Sequence, residues 1–142
     1  MILETIATTV ASIGFGVMFN IKGKNLFFAA LGGGLGWLVY SLGLSFDFSA
    51  ISSLFIASVF FSIYSEVFAR ILKTPVTTLL ICCLIPLVPG AGMYNAMYQA
   101  ITSNLSGAIE LAVDTTARAG TLSSGIILVS TITRQFRNLK TK

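Results

Sequence analysis

Histidine is absent and charge is scarce: Asp, Glu, Lys and Arg make up 10% of 142 residues, against about a quarter in a soluble domain. Hydrophobic residues reach 55%, and mean hydropathy is +0.89. Too little polar surface is left to wrap such a core in water, so an ordinary soluble enzyme and a disordered tail are excluded. Cysteine is nearly missing, with one adjacent pair at Cys82 and Cys83, which excludes a disulfide-stapled secreted module. Net charge is +4, but the basic residues form no run or face that would track phosphates, so nucleic acid is not an expected partner. Nothing resembles a nucleophile–base pair or a metal-ligating cluster, and the expectation is no enzyme, no cofactor and no metal. Without histidine, only carboxylates, hydroxyls and backbone remain to handle a proton. The composition is that of a protein in a lipid bilayer.

What is abundant is uncharged length. Charge-free stretches cover residues 5–21, 25–46, 48–65, 74–109 and 119–133. A spanning helix needs about 20 mostly apolar residues to cross about 30 Å of hydrocarbon. The first three stretches fit one span each. The fourth is too long for one straight helix and contains Pro86, Pro89 and Gly90. The fifth is short, so a span ending near Thr133 has to begin near Asp114. Strand-like alternation is missing, and the apolar runs are too long for barrel strands. The expected fold is an all-α integral membrane protein with five transmembrane helices, the fourth broken at Pro86–Gly90. It forms a single transmembrane domain over 1–142, with spans near 3–21, 26–45, 48–69, 75–102 and 113–133.

An outside N-terminus puts Lys22, Lys24, Arg70, Lys73, Arg134, Arg137, Lys140 and Lys142 in the cytoplasm and leaves only Arg118 outside. The positive-inside rule therefore favours N-terminus outside and C-terminus cytoplasmic. Met1-Ile2-Leu3-Glu4 lacks the basic start of a signal peptide, and none is expected. The linkers are too short for a soluble domain.

Polar residues on otherwise apolar helices mark faces that meet protein. Thr5, Thr8, Thr9, Ser12, Gly16 and Asn20 recur three or four apart, on one face of the first helix. That stripe fits close helix packing or the wall of a polar path, and Asn20 reads as a buried amide in need of partners. Gly32 and Gly36 let a neighbouring backbone approach closely. Cys82 and Cys83 read as small apolar fillers. Glu66, four residues before Arg70, fits an interfacial ion pair. It equally fits a proton-carrying carboxylate at the inner mouth, with Tyr64 and Ser65 to hydrogen-bond it. Glu110, Asp114 and Arg118 follow at intervals of four, as an ion-paired rim or an outer gate. Glu66, Asp114 and Arg118 are the ion-coupling candidates.

The broken fourth helix is the most informative feature. Pro86 to Gly90 lies 11 to 15 residues beyond Pro75, roughly 17–22 Å into the membrane. Pro86 and Pro89 remove helical hydrogen bonds and clash with preceding carbonyls, and Val88 is pushed towards extended geometry by the proline after it. Unwound backbone at that depth survives only against protein or a water-filled cavity. Transporters use such breaks as substrate sites. A second half-helix starting near Gly90 would aim its free amides at a carboxylate. Ala91, Asn95, Gln99 and Thr102 then form a small or polar stripe, opposite Met93, Tyr94, Met97 and Tyr98. A proline-kinked structural helix is the plainer alternative.

Gly14–Asn20 (GFGVMFN), Leu31–Tyr40 (LGGGLGWLVY) and above all Pro86–Tyr94 (PLVPGAGMY) resemble the threonine/serine exporter (ThrE) family. The resemblance is to its smaller, C-terminal membrane domain, in many bacteria a separate subunit, and covers most of the chain in the same order. It implicates Asn20, Pro86, Pro89, Gly90 and Tyr94 as motif residues, to which the stripe adds Asn95 and Gln99 as substrate-binding candidates. The family implies export of small carboxylate-bearing solutes (threonine and serine, for split pairs succinate) driven by an ion gradient. It also implies a bacterial cytoplasmic membrane and a larger membrane partner with a cytoplasmic portion. Five short helices are few for a secondary transporter, so that partner or a homo-oligomer is expected. The alternatives are a non-transporting assembly subunit and a small homo-oligomeric channel.

Overall fold

The computed structural model describes residues 1–140, with side chains through residue 136. Six α-helices follow in order: α1 (Ile2–Met18), α2 (Lys24–Ser45), α3 (Ala50–Leu72), α4 (Val76–Leu84), α5 (Gly90–Ile101) and α6 (Leu105–Lys140). A 3₁₀ turn, Ile85–Leu87, extends α4, and no strand occurs among the described residues. The all-α expectation is met. By length and apolarity α2 and α3 each suffice to cross a membrane, and the bent pair Val76–Leu87 plus Gly90–Ile101 makes a third candidate. The apolar α1 has 17 residues, at the short end for a span.

Helices α1, α2, α3 and α6 pack side by side in that order, and α4 lies against α1, α2 and α3. Helix α2 is the hub because its glycines face three directions. A Cβ at Gly33 would strike Ser12 of α1, one at Gly32 would strike Tyr64 and Cys83, and one at Gly36 would touch Leu87 and Phe61. The close approach expected of Gly32 and Gly36 is present, but Gly33 makes the tightest three-helix contact. Ser12 is fully buried and donates its hydroxyl to the Cys82 carbonyl of α4 at 3.4 Å. The other hydroxyls of the α1 stripe return to their own helix: Thr5 donates to Met1 O, Thr8 to Glu4 O and Thr9 to Thr5 O. The stripe thus takes its packing reading. Both cysteines are buried and free, as expected of fillers.

Two clusters fill the body. One gathers Leu54, Ala57, Phe61, Cys83, Leu87 and Leu122 at mid-height. The other gathers Ile21, Ala29, Ala69, Leu79 and Cys82 where α1 and α3 end and α4 begins. The second end is basic, with Lys22, Lys24, Arg70 and Lys73 around it. Met1 lies at the opposite end, where Ser45 donates to its sulfur at 3.4 Å, so Glu4 and Asp47 share that end. Of the expected basic tail Arg134 is described, whereas Lys142 and the side chains of Arg137 and Lys140 lie outside the described residues.

Asn20 departs from the expectation of a buried amide. It is exposed, with φ +58°, and its N–H bonds to Val17 O while Ile21 N–H bonds to Gly16 O at 2.9 Å. That is the paired closure of a helix end by a left-handed residue, and buried Ile21 seals it from below. Asn20→Gly should therefore leave melting unchanged or slightly raised. Asn20→Val, a β-branched residue in the left-handed region, should cost about 1–2 kcal/mol. Thermal unfolding in detergent measures both.

Helix α6 is one continuous helix of 36 residues, about 54 Å long, so the stretch 113–133 is the middle of a helix that continues beyond it at both ends. Glu110, Asp114 and Arg134 are exposed and Arg118 half-exposed, so these charges interrupt hydrophobicity without interrupting the helix. Ala108, Thr115, Leu122 and Val129 are its buried seam, seven residues apart, the spacing of a coiled-coil stripe. Leu122 and Gly125 pack on α3, with Gly125 against Ser58, and Thr115 packs on Gly92 of α5. With 36 residues against 23 in α3, α6 overhangs its partner by about 20 Å, and α5 lies along the overhang.

Candidate functional site

Pro86 does not end its helix. It sits at the start of the 3₁₀ turn, where its missing N–H is tolerated, and Val88 N–H still reaches Leu84 O and Ile85 O at 3.2 Å. Unwinding is confined to Val88 and Pro89. Val88 is extended (φ −63°, ψ 129°), as a residue before proline should be. Pro89, at φ −76° and ψ 56°, is the centre of an inverse γ-turn closed by Gly90 N–H to Val88 O at 2.7 Å. The axis turns by 49°.

Helix α5 resumes without a side-chain cap, and its first α-helical bond is Met93 N–H to Pro89 O. The amides of Ala91 and Gly92 precede that bond and have no intrahelical acceptor, as at any helix start. Leu87, just before the break, packs at the height of Phe61 and Gly36, the middle of α3 and α2. A break is thus present level with the middle of α2 and α3, though narrower than Pro86–Gly90. It is also open: a Cβ at Gly90 would meet nothing within 4 Å.

The candidate residues divide on inspection. Pro86 and Pro89 are half-buried, while Gly90, Tyr94 and Asn95 are exposed around the mouth of the break, and Tyr94 stacks on Tyr98 with ring centroids 6.4 Å apart. Gln99 is committed elsewhere. Its Oε1 accepts from Asn104 Nδ2 at 2.8 Å, and Asn104 Oδ1 in turn accepts from Gly107 N–H, capping α6. Thr102 donates to Tyr98 O. Asn20 stands at the basic end with Ile21 and Leu79, away from the break, so the structure does not join it to Gly90 and Asn95.

The charged candidates form two separate pairs. Glu66 binds Arg70 at 3.4 Å, and Asp114 binds Arg118 at 2.8 Å. Arg118 and Arg134 are 16 residues apart on α6, roughly 24 Å along its axis. The hydroxyls expected to serve Glu66 are used otherwise: Tyr64 donates to Phe28 O at 2.9 Å, and Ser65 Oγ lies 3.9 Å from Cys83 Sγ. Glu66 instead borders a cavity of about 730 Å³ with Arg70, Lys73, Thr74, Ser130 and Arg134. Sequence reasoning missed this grouping because Glu66 to Val76, at the α3–α4 turn, and Ser130 to Arg134 of α6 lie far apart in the chain. The one signal was that all the cations belong to the same predicted membrane face.

A family model described as Threonine/Serine exporter, ThrE, matches residues 4–132, nearly the whole chain. The chain belongs to the threonine/serine exporter family. ThrE proteins are membrane exporters of the threonine/serine type and not enzymes, which agrees with the apolar helices and with the expectation of no chemistry on the substrate. No solved structure matches this ThrE chain. The ThrE match runs through the break and through the α5–α6 hairpin, so both belong to the family's common portion and neither is an appendage.

Proposed function

We infer that this chain is the small membrane subunit of an ion-coupled exporter of small carboxylate-bearing solutes, threonine and serine first and succinate for a split pair. It would sit in the bacterial cytoplasmic membrane with five crossings, the basic end and C-terminus inside. The observation carrying this reading is the open break. Backbone donors at the start of α5 lie at the protein's surface beside Gly90, and bare backbone is not tolerated against lipid. A larger ThrE-type membrane subunit with a cytoplasmic portion, or a second copy of this chain, would cover it. Between the two, the amides of Ala91 and Gly92, with Tyr94 and Asn95 at the rim, would hold the substrate carboxylate. Glu66, Asp114 and Arg118 remain the ion-coupling candidates, with Glu66 at the inner end.

The test is efflux of radiolabelled threonine, serine and succinate from proteoliposomes containing this chain alone, a larger ThrE subunit alone, the two together, or the two with Asn95→Ala. Expected are flux only in the pair and a loss of about tenfold in the mutant despite intact assembly. Normal flux in the mutant would remove Asn95 from the seat. Flux from the chain alone would make it a homo-oligomeric channel or a transporter in its own right. Normal flux in the partner without this chain would leave it an assembly subunit.

A further inference from the structure

We propose that the cavity at the basic end binds an anionic glycerophospholipid, its phosphate among Lys73, Arg134 and Thr74 and an acyl chain along the outer groove between α3 and α6. Three cations, Arg70, Lys73 and Arg134, share this cavity of about 730 Å³ with one carboxylate, Glu66. Arg70 neutralises Glu66 at 3.4 Å. Among the described residues Lys73 and Arg134 have no acidic partner, so the cavity keeps an excess of two positive charges. Thr74 Oγ1, on its lining, is buried without a hydrogen-bond partner, an arrangement that costs free energy until an acceptor or donor arrives. The start of α4, beginning at Val76 behind Pro75, opens on the same space and adds outward-facing amides.

A free anion would need nothing more, but the cavity does not stop at its charges. Glu66, Arg70 and Thr133 also border a second hollow of about 200 Å³, whose remaining walls are Ile63, Val67 and Phe136. Those three side chains are exposed, Phe136 at 68%, on the outer side of the α3–α6 contact. A polar, positively charged head site continuous with an apolar channel on the outer face is the shape of an amphiphile. Basic pockets between helices at the positively charged membrane face are suited to acidic headgroups. A phosphate esterified to glycerol is the shared chemistry of every such lipid, and the rest of the headgroup is left free by the cavity's size.

Delipidated protein in a neutral detergent, titrated with phosphatidylglycerol or phosphatidylcholine, tests this by native mass spectrometry and thermal shift. Phosphatidylglycerol is expected to remain bound and raise the melting midpoint, with phosphatidylcholine at least tenfold weaker. Lys73→Gln with Arg134→Gln should remove that preference. Phe136→Ser leaves every charge in place and should still weaken phosphatidylglycerol, which keeps the test decisive if the double variant does not fold. Equal binding of the two lipids, full preference in the double variant, or undiminished phosphatidylglycerol binding in Phe136→Ser would overturn the proposal. So would an equal stabilisation by millimolar inorganic phosphate or succinate, which would make the cavity a seat for soluble anions.

Discussion

Gly90→Leu is expected to fold and assemble normally and to lose at least about tenfold in export, or about 1.4 kcal/mol in the transport barrier. The first half of that expectation comes from space. A Cβ at Gly90 meets nothing within 4 Å, and the residue occupies the first turn of α5 in ordinary helical geometry. Leucine is also a better helix former than glycine by most of 1 kcal/mol. The second half comes from position, because an isobutyl group there would stand over the amides of Ala91 and Gly92. Size-exclusion profiles and efflux from the same preparation separate the two halves. Folding with unchanged flux would place the substrate elsewhere, and misfolding would mean that the mouth of the break is packed rather than open.

The opposite outcome is expected at Gly33→Leu. Its Cβ would collide with Ser12 Oγ and stand 3.2 Å from the backbone oxygen of Cys82, so the obstacle includes main chain on a second helix and a rotamer change does not clear it. Helices α1, α2 and α4 all meet at this point. Forcing them apart should cost about 3 kcal/mol or more and remove the monodisperse fraction in detergent. Gly14→Leu is the control, since nothing lies within 4 Å of a Cβ there. Gly33→Ala combined with Ser12→Gly should recover part of the loss seen with Gly33→Ala alone, because the two residues share one contact.

Much of the body was legible in the residues. The spans drawn from the uncharged runs, 3–21, 26–45 and 48–69, lie within about three residues of α1, α2 and α3, because charge is excluded from faces that meet lipid, although α3 runs on through Glu66 and Arg70. Pro89 fixed Val88 in extended geometry for a local steric reason that needs no neighbour. What was hidden had non-local causes. The Ala108, Thr115, Leu122, Val129 seam of α6 mixes small and large residues between charges, so it has no hydrophobic contrast, and it becomes visible only when α5 and α3 are laid along it. Asn20 looked like a polar group on a helix and proved to be the residue after the helix, a distinction of two positions that a stripe pattern cannot make. Gln99 shares its face with Asn95, yet the turn at Asn104 claims it. The basic cavity was invisible because Arg70, Lys73 and Arg134 meet only once α6 has travelled back past α3.

The overhang of α6 makes the helix a lever. It is held on α3 by Gly125 against Ser58 and by Leu122 in the core cluster. From Gly125 to the tip at Leu105 is 20 residues, an arm of about 30 Å, so each degree of rocking moves the tip by about 0.5 Å. Helix α5 packs along that arm, and its chain joins α4 through Val88 and Pro89, with no helical bond across the joint. A change in the crossing angle of α6 on α3 would therefore carry α5 with it and alter the opening of the break, more than thirty residues earlier in the chain.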